Sequence, residues 1–179
     1  MRKVIITAGH NGPGTGASSP LMDEGTETIR LRDLLTAELK ERGMLVTNDT
    51  NTETTAGVIG WIKRIFTPND LLIEIHFNSS TSNQSTGTET FIQVAPSYLE
   101  KSLADSISTV AANVLMIKNR GVKFPSQSQH ITIGILDQTQ VHAILWEVCF
   151  LNNPRDVAQY RGNAERLARE IAHAVALSI

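Results

Sequence analysis

Apolar and polar positions alternate in blocks along this chain, and the period within each block predicts its element. Residues 3–8, with Val4, Ile5 and Ile6 in succession, read as a strand that enters a glycine-rich loop from Gly9 to Gly16. From Gly25 to Arg42, apolar residues at Ile29, Leu31, Leu34, Leu35 and Leu39 follow helical spacing, and Gly43 stands where a helix ends. Met44 to Thr47 is a short strand candidate, and residues 53–66 read as a helix with Val58, Ile59, Ile62 and Ile65 on one side. A strand is expected over 70–77, followed by a polar loop from Ser79 to Thr86.

The second half continues the pattern. Glu89 to Val94 predicts a strand, and Ser97 with Glu100 has the spacing of a capping box. The helix it opens would bury Leu99, Leu103, Ile107, Val110, Ala111 and Val114. Residues 118–130 read as loop, 131–136 as a strand and 143–150 as another. Asn153-Pro154 supplies an N-cap and a first-turn proline, and 163–177 is a strongly patterned helix. Strands alternating with helices predict an α/β fold, a single three-layer domain over residues 1–179 with a mostly parallel twisted sheet of about six strands flanked by helices on both faces. Leu71–Phe77 and Ile144–Phe150 are almost continuously apolar, as strands buried on both faces are.

Composition narrows the function classes. With 179 residues, 41% hydrophobic, 19% charged and a net charge of -2, the chain lacks the clustered basic excess of a nucleic-acid binder. No apolar run approaches the ~20 residues of a membrane span, so no membrane insertion is expected. The apolar stretch after Met1-Arg2-Lys3 breaks at Gly9, too soon for a signal peptide. Cys149 is the only cysteine, so a disulfide within the chain and a thiolate metal cluster are both excluded.

Four metal-capable residues stand at the edges of apolar runs: His10, Glu24, His76 and Glu147. Two histidines and a carboxylate are a common protein ligand set for a catalytic zinc, and a further carboxylate could move protons. In open α/β sheets ligands gather at the carboxyl ends of strands, where His10 and His76 fall. Each residue also has a plainer reading. His10 could be an exposed loop histidine, or part of an anion-binding loop, although the segment lacks the endings of known phosphate loops. Glu24 could simply complement a helix dipole, and Asp23 and Glu27 would serve as well. His76 could be a core histidine bonded to backbone. Glu147 is harder to dismiss, because an ionised carboxylate among Ile144, Leu145, Trp146, Val148 and Phe150 needs a compensating partner. Glu74 lies two residues before His76 on the same strand face, either orienting the histidine or forming an ordinary salt bridge. His130, His142 and His173 read as unremarkable polar residues, and Cys149 as a small buried hydrophobe.

Taken in order, these segments resemble the zinc-dependent N-acetylmuramoyl-L-alanine amidases of the Amidase_3 type. Ile6-Thr7-Ala8-Gly9-His10-Asn11-Gly12-Pro13 is similar to the family's opening D-P/A-G-H-G-G-P, and Glu74-Ile75-His76-Phe77-Asn78-Ser79 to S-I-H-A-N-A. Gly87-Thr88-Glu89-Thr90-Phe91 resembles G-x-E-x-aromatic, and Asn119-Arg120-Gly121-Val122-Lys123 resembles N-R-G-V-K. Leu145 to Asn153 is similar to L-V-E-L-G-F-L-S-N, and the Glu24–Gly43 segment has the length and spacing of the family's ligand helix, which selects Glu24 over Asp23 and Glu27. The departures are Thr7 for a common aspartate, Glu74 for serine, Asn48 for arginine and Cys149 for glycine.

The resemblance implies that His10, Glu24 and His76 bind one Zn²⁺ and that Glu147 is the catalytic general base. It implies peptidoglycan as substrate, cut at the amide between the lactyl group of N-acetylmuramic acid and L-alanine. A zinc peptidase or carboxypeptidase on a related amide, or a non-catalytic wall-binding domain, are the alternatives. A monomer is expected. With no export signal in view, the expected setting is the cytoplasm until release to the wall by a holin or lysis, as for a phage endolysin. A mother-cell autolysin or a domain of a longer exported protein would carry the same residues.

Overall fold

The computed structural model describes residues 2–51, 54–128 and 132–179. Its strands are β1 (Lys3–Ala8), β2 (Leu45–Asn48), β3 (Leu71–Asn78), β4 (Thr88–Ile92), β5 (Asn119–Lys123) and β6 (His142–Phe150). Among the described residues the helices are α1 (Glu24–Glu41), α2 (Thr55–Ile65), α3 (Tyr98–Leu115), the short α4 (Gly134–Gln138) and α5 (Pro154–Ser178). The strands form one sheet in the order β2-β1-β3-β6-β4-β5. All neighbours are parallel except β4 and β6, which pair antiparallel, so β4 and β5 run against the other four.

Strand alternation sends successive side chains to opposite faces, and the sheet uses each face differently. Val4, Ile6, Ile73, Ile75, Ile144 and Trp146 belong to the larger hydrophobic cluster, which α1, α3 and α5 cover. Ile5, Leu72, Phe91, Ala143 and Leu145 belong to the smaller one, with Val58, Ile59 and Ile62 of α2 and Ile135 and Leu136 of α4. Two short helices cannot span the whole of that second face. Toward the carboxyl ends of β1, β3 and β6 its positions turn polar: Thr7 follows Ile5, Glu74 and His76 follow Leu72, and Glu147 follows Leu145. The uncovered half of this face is where chemistry becomes possible.

Local signals explain most boundaries. Asp23 caps α1 by accepting from Thr26 N, and Ser97 and Glu100 form the expected capping box of α3. Asn153 accepts from Arg155 N and Asp156 N ahead of Pro154. The last helix nevertheless begins at Pro154 and runs unbroken, whereas the residue pattern predicts its body only from 163. Its first turns bury only two apolar residues, Val157 and Tyr160, beside the polar Asp156, too sparse a stripe to register as periodic. Two further expectations are corrected. Residues 119–123, read as loop, form edge strand β5, whose burial is only partial. The strand expected over 131–136 is replaced from Gly134 by α4, a short apolar run being ambiguous between the two; position 131 lies outside the described residues, as does Glu53, the expected start of the second helix.

Candidate active site

The loop after β1 returns over the start of α1 and brings His10 to Glu24. His10 Nε2 is 3.5 Å from Glu24 Oε2, and His76 Nδ1 is 3.1 Å from Glu24 Oε1. One ligand atom from each of the three residues lies within 4.8 Å of the others. The imidazole rings stand edge to face, 5.1 Å apart at an interplanar angle of 88°. Glu24 is held rigidly between them, since Oε2 accepts from Ala17 N at 2.7 Å and Oε1 from Phe77 N at 3.0 Å. Its neighbours are used elsewhere: Asp23 caps the helix and accepts from Gly14 N, while Glu27 accepts from Tyr160 Oη. Position in the fold thus distinguishes three adjacent acids that local sequence does not.

Two glycines make the convergence possible. A Cβ on Gly9 would fall 2.1 Å from His76 Nε2, and one on Gly16 would fall 2.5 Å from the His10 ring and 2.6 Å from Glu24 Oε2. Gly16 also has φ +74°, in the left-handed region that favours glycine.

Electrostatics follow from this crowding. Burial pushes His76 down, but the hydrogen bonds to Glu24 and Glu74 outweigh it and raise the ring well above 6.5. Burial pushes Glu24 up, yet the His76 bond and charge with the Ala17 amide hold it below its ordinary value. Burial lowers His10 more than the nearby carboxylates raise it. Both ring nitrogens of His76 face carboxylate oxygens, Nδ1 at Glu24 and Nε2 at Glu74, an arrangement that favours the protonated ring. A divalent cation suits the place of the Nδ1 proton, because it would meet a nitrogen, a carboxylate and a second nitrogen from three converging side chains.

Glu147 stands beside this group. From β6 it is the register partner of His76 on β3 and of Glu89 on β4, so the three form one row across the sheet. Its Oε2 is buried and has no hydrogen-bond partner among the described residues. Burial, with the Glu24, Glu89 and Glu74 charges, overrides the pull of His76 and lifts its pKa to about 7. Beyond it, Glu89 accepts from Asn78 Nδ2 at 2.8 Å and pairs with Arg120 and Lys123 of β5. These residues, reached in the sequence only through the family motifs, line with His10 and Glu147 an open cleft of about 800 Å³.

The remaining candidates among the described residues fall away from the cleft. His142 contacts Ser97 and Glu100 at the opposite end of the sheet, and His173 lies in a shallow groove between α3 and α5. Cys149 is fully buried, and His130 lies outside the described residues. No described helix is long and apolar enough to cross a membrane.

The α/β fold gathers a His–Glu–His cluster and a buried carboxylate at the carboxyl ends of its parallel strands, and comparison with known proteins gives the family. The model of the N-acetylmuramoyl-L-alanine amidase family, Amidase_3, matches residues 4–177, and the chain belongs to that family. It is an enzyme of the amidase class. The structure is similar to the catalytic domain of CwlV, an N-acetylmuramoyl-L-alanine amidase from Bacillus (Paenibacillus) polymyxa var. colistinus, at 24% identity and TM-score 0.82, covering 99% of this chain and 97% of that one. It is similar also to the catalytic domain of an endolysin targeting Clostridia difficile, at 25% identity and TM-score 0.79, covering 99% and 98%. In sequence it is 26% identical over 160 residues to YqiI, an uncharacterized protein of Bacillus subtilis, covering 87% of this chain and 73% of that protein.

Proposed function

We propose that this amidase is zinc-dependent, with one Zn²⁺ held by His10, Glu24 and His76 and with Glu147 as the general base. The observation that carries the reading is the convergence of those three side chains beside a buried, unpartnered carboxylate oxygen. When bound, zinc would supply Lewis acidity toward a carbonyl oxygen and toward water at neutral pH. The residues do the rest. His10 from the loop after β1 and His76 from β3 would hold the ion, with the amide-anchored Glu24 carboxylate as the third ligand. Glu147, with a pKa of about 7, takes a proton from the attacking water and returns one to the departing nitrogen. The bond cut is the amide between the lactyl group of N-acetylmuramic acid and L-alanine, which leaves free glycan and stem peptide.

Likeness to an endolysin catalytic domain supports a setting in which the enzyme meets peptidoglycan on lysis. Purified muropeptides test the reaction. Mass spectrometry and amino-terminal labelling should find L-alanine as the new amino terminus, with cleavage abolished by a chelator and restored by zinc. A different new terminus, or full activity in the chelator, would contradict it.

A further inference from the structure

We infer that Glu74 is a positioning residue for His76, holding Nε2 as the protonated ring nitrogen so that Nδ1 is the one offered to a metal, and that Thr7 completes this support. The inference rests on the zinc reading of the His10–Glu24–His76 group.

Thr7 and Glu74 are register partners on β1 and β3, with side chains on the same face of the sheet. The Thr7 hydroxyl donates to Glu74 Oε2 at 3.1 Å, and Glu74 Oε1 is 3.1 Å from His76 Nε2. Thr7 is fully buried and Glu74 is 7% exposed. A carboxylate so enclosed is costly unless each oxygen is satisfied, and here each oxygen has one partner. The ion pair Glu74 makes is with His76 itself, so the salt bridge and the orienting contact are one interaction. The other ring nitrogen faces Glu24. Since a neutral imidazole carries a single N–H, an acceptor fixed at Nε2 leaves the lone pair on Nδ1.

The same two positions are departures from the family motifs. Where those carry aspartate on the first strand and serine on the third, this chain carries Thr7 and Glu74. A hydroxyl and a carboxylate are present in both cases, with their strands exchanged. Because the two positions face each other in the β1–β3 register, the exchange keeps one donor and one acceptor in the same small volume. A lone change at either position would leave two carboxylates or two hydroxyls there.

Zinc titration against a chromophoric competing chelator tests this, using the full chain stripped of metal and checked for folding by thermal unfolding. Glu74→Ser should weaken zinc binding about 10- to 100-fold. Adding Thr7→Asp to that variant should recover most of the loss. Nitrogen-15 NMR of the zinc-loaded histidines should show a protected His76 Nε2–H in the original chain and the double variant, and its rapid exchange in Glu74→Ser. Glu74→Gln, which preserves the side-chain shape, should fold and lose several-fold in affinity with faster Nε2–H exchange. Zinc binding and Nε2–H protection unchanged in Glu74→Ser or Glu74→Gln would overturn the role of Glu74. A double variant no better than Glu74→Ser would overturn the exchange with Thr7. An original chain that binds no zinc would instead overturn the metal reading beneath both.

Discussion

His76 and Glu147 are register partners on adjacent parallel strands, so one backbone alignment sets the distance between the proposed metal ligand and the proposed general base. The antiparallel strand β4 extends the same row with Glu89. A slip of one residue in β6 would turn Glu147 to the face covered by α1, α3 and α5, which makes the sheet register itself part of the catalytic apparatus.

Replacing Glu147 should separate binding of metal from turnover. Glu147→Gln is expected to retain zinc at the original stoichiometry by mass spectrometry while muropeptide cleavage falls roughly 10²- to 10⁴-fold. Cleavage at the original rate would remove Glu147 from the mechanism.

The same substitution should alter stability with pH. Glu147 has a folded pKa of about 7, raised from 4.5, so between those values the folded state binds more protons than the unfolded state. This group's contribution to stability is therefore present at low pH and lost as pH rises through 7, at a cost of at most a few kcal/mol. Metal-free Glu147→Gln should melt above the original protein at pH 8, with the difference shrinking toward pH 5. Thermal unfolding across that range checks it, and a difference independent of pH would contradict it.

His76 predicts the proton linkage of the metal. Its folded pKa is raised well above 6.5, so the stabilising contacts it makes as a cation are present below its unfolded value and lost as pH rises through the folded one. A metal at Nδ1 must displace that proton. Zinc affinity should climb by up to about tenfold per pH unit until the raised pKa is passed, with proton release measurable by calorimetry in buffers of different ionisation enthalpy. His76→Ala should bind zinc far more weakly and lose activity, and it should also be destabilised at neutral pH because Glu24 and Glu74 lose the imidazolium between them.

Gly16 gives a backbone test of the same centre. Gly16→Ala places a methyl group 2.5 Å from the His10 ring at a φ of +74°, so it should both strain the loop and displace a ligand. A loss of zinc affinity larger than the loss of thermal stability is expected. Unchanged affinity would mean that the loop before α1 does not shape the site.

Much of this was legible in the chain because long patterned segments and caps act locally. The strand alternation, the Ser97–Glu100 box and the Asn153-Pro154 start of α5 all depend on neighbours within a few residues. β5 was not legible, since Asn119–Lys123 has little apolar content and gains its identity from pairing with β4. The reversal of β4 and β5 is likewise a tertiary fact, secured by Thr88, whose hydroxyl donates to Glu147 O and accepts from Trp146 Nε1. At the site, residue types suggested His10, Glu24, His76 and Glu147, but only the fold brings the first three within reach of one another. The Glu74 question turned on register: Thr7 lies 67 residues away in sequence and directly opposite in the sheet.

The central claim is that His10, Glu24 and His76 together hold zinc beside Glu147. The most direct measurement is anomalous scattering from crystals of the zinc-loaded protein, collected above and below the zinc absorption edge. The account predicts one peak bonded by those three side chains, with the Glu147 carboxylate nearby but not a ligand. No peak among them, or a peak coordinated by a different set of residues, would contradict it.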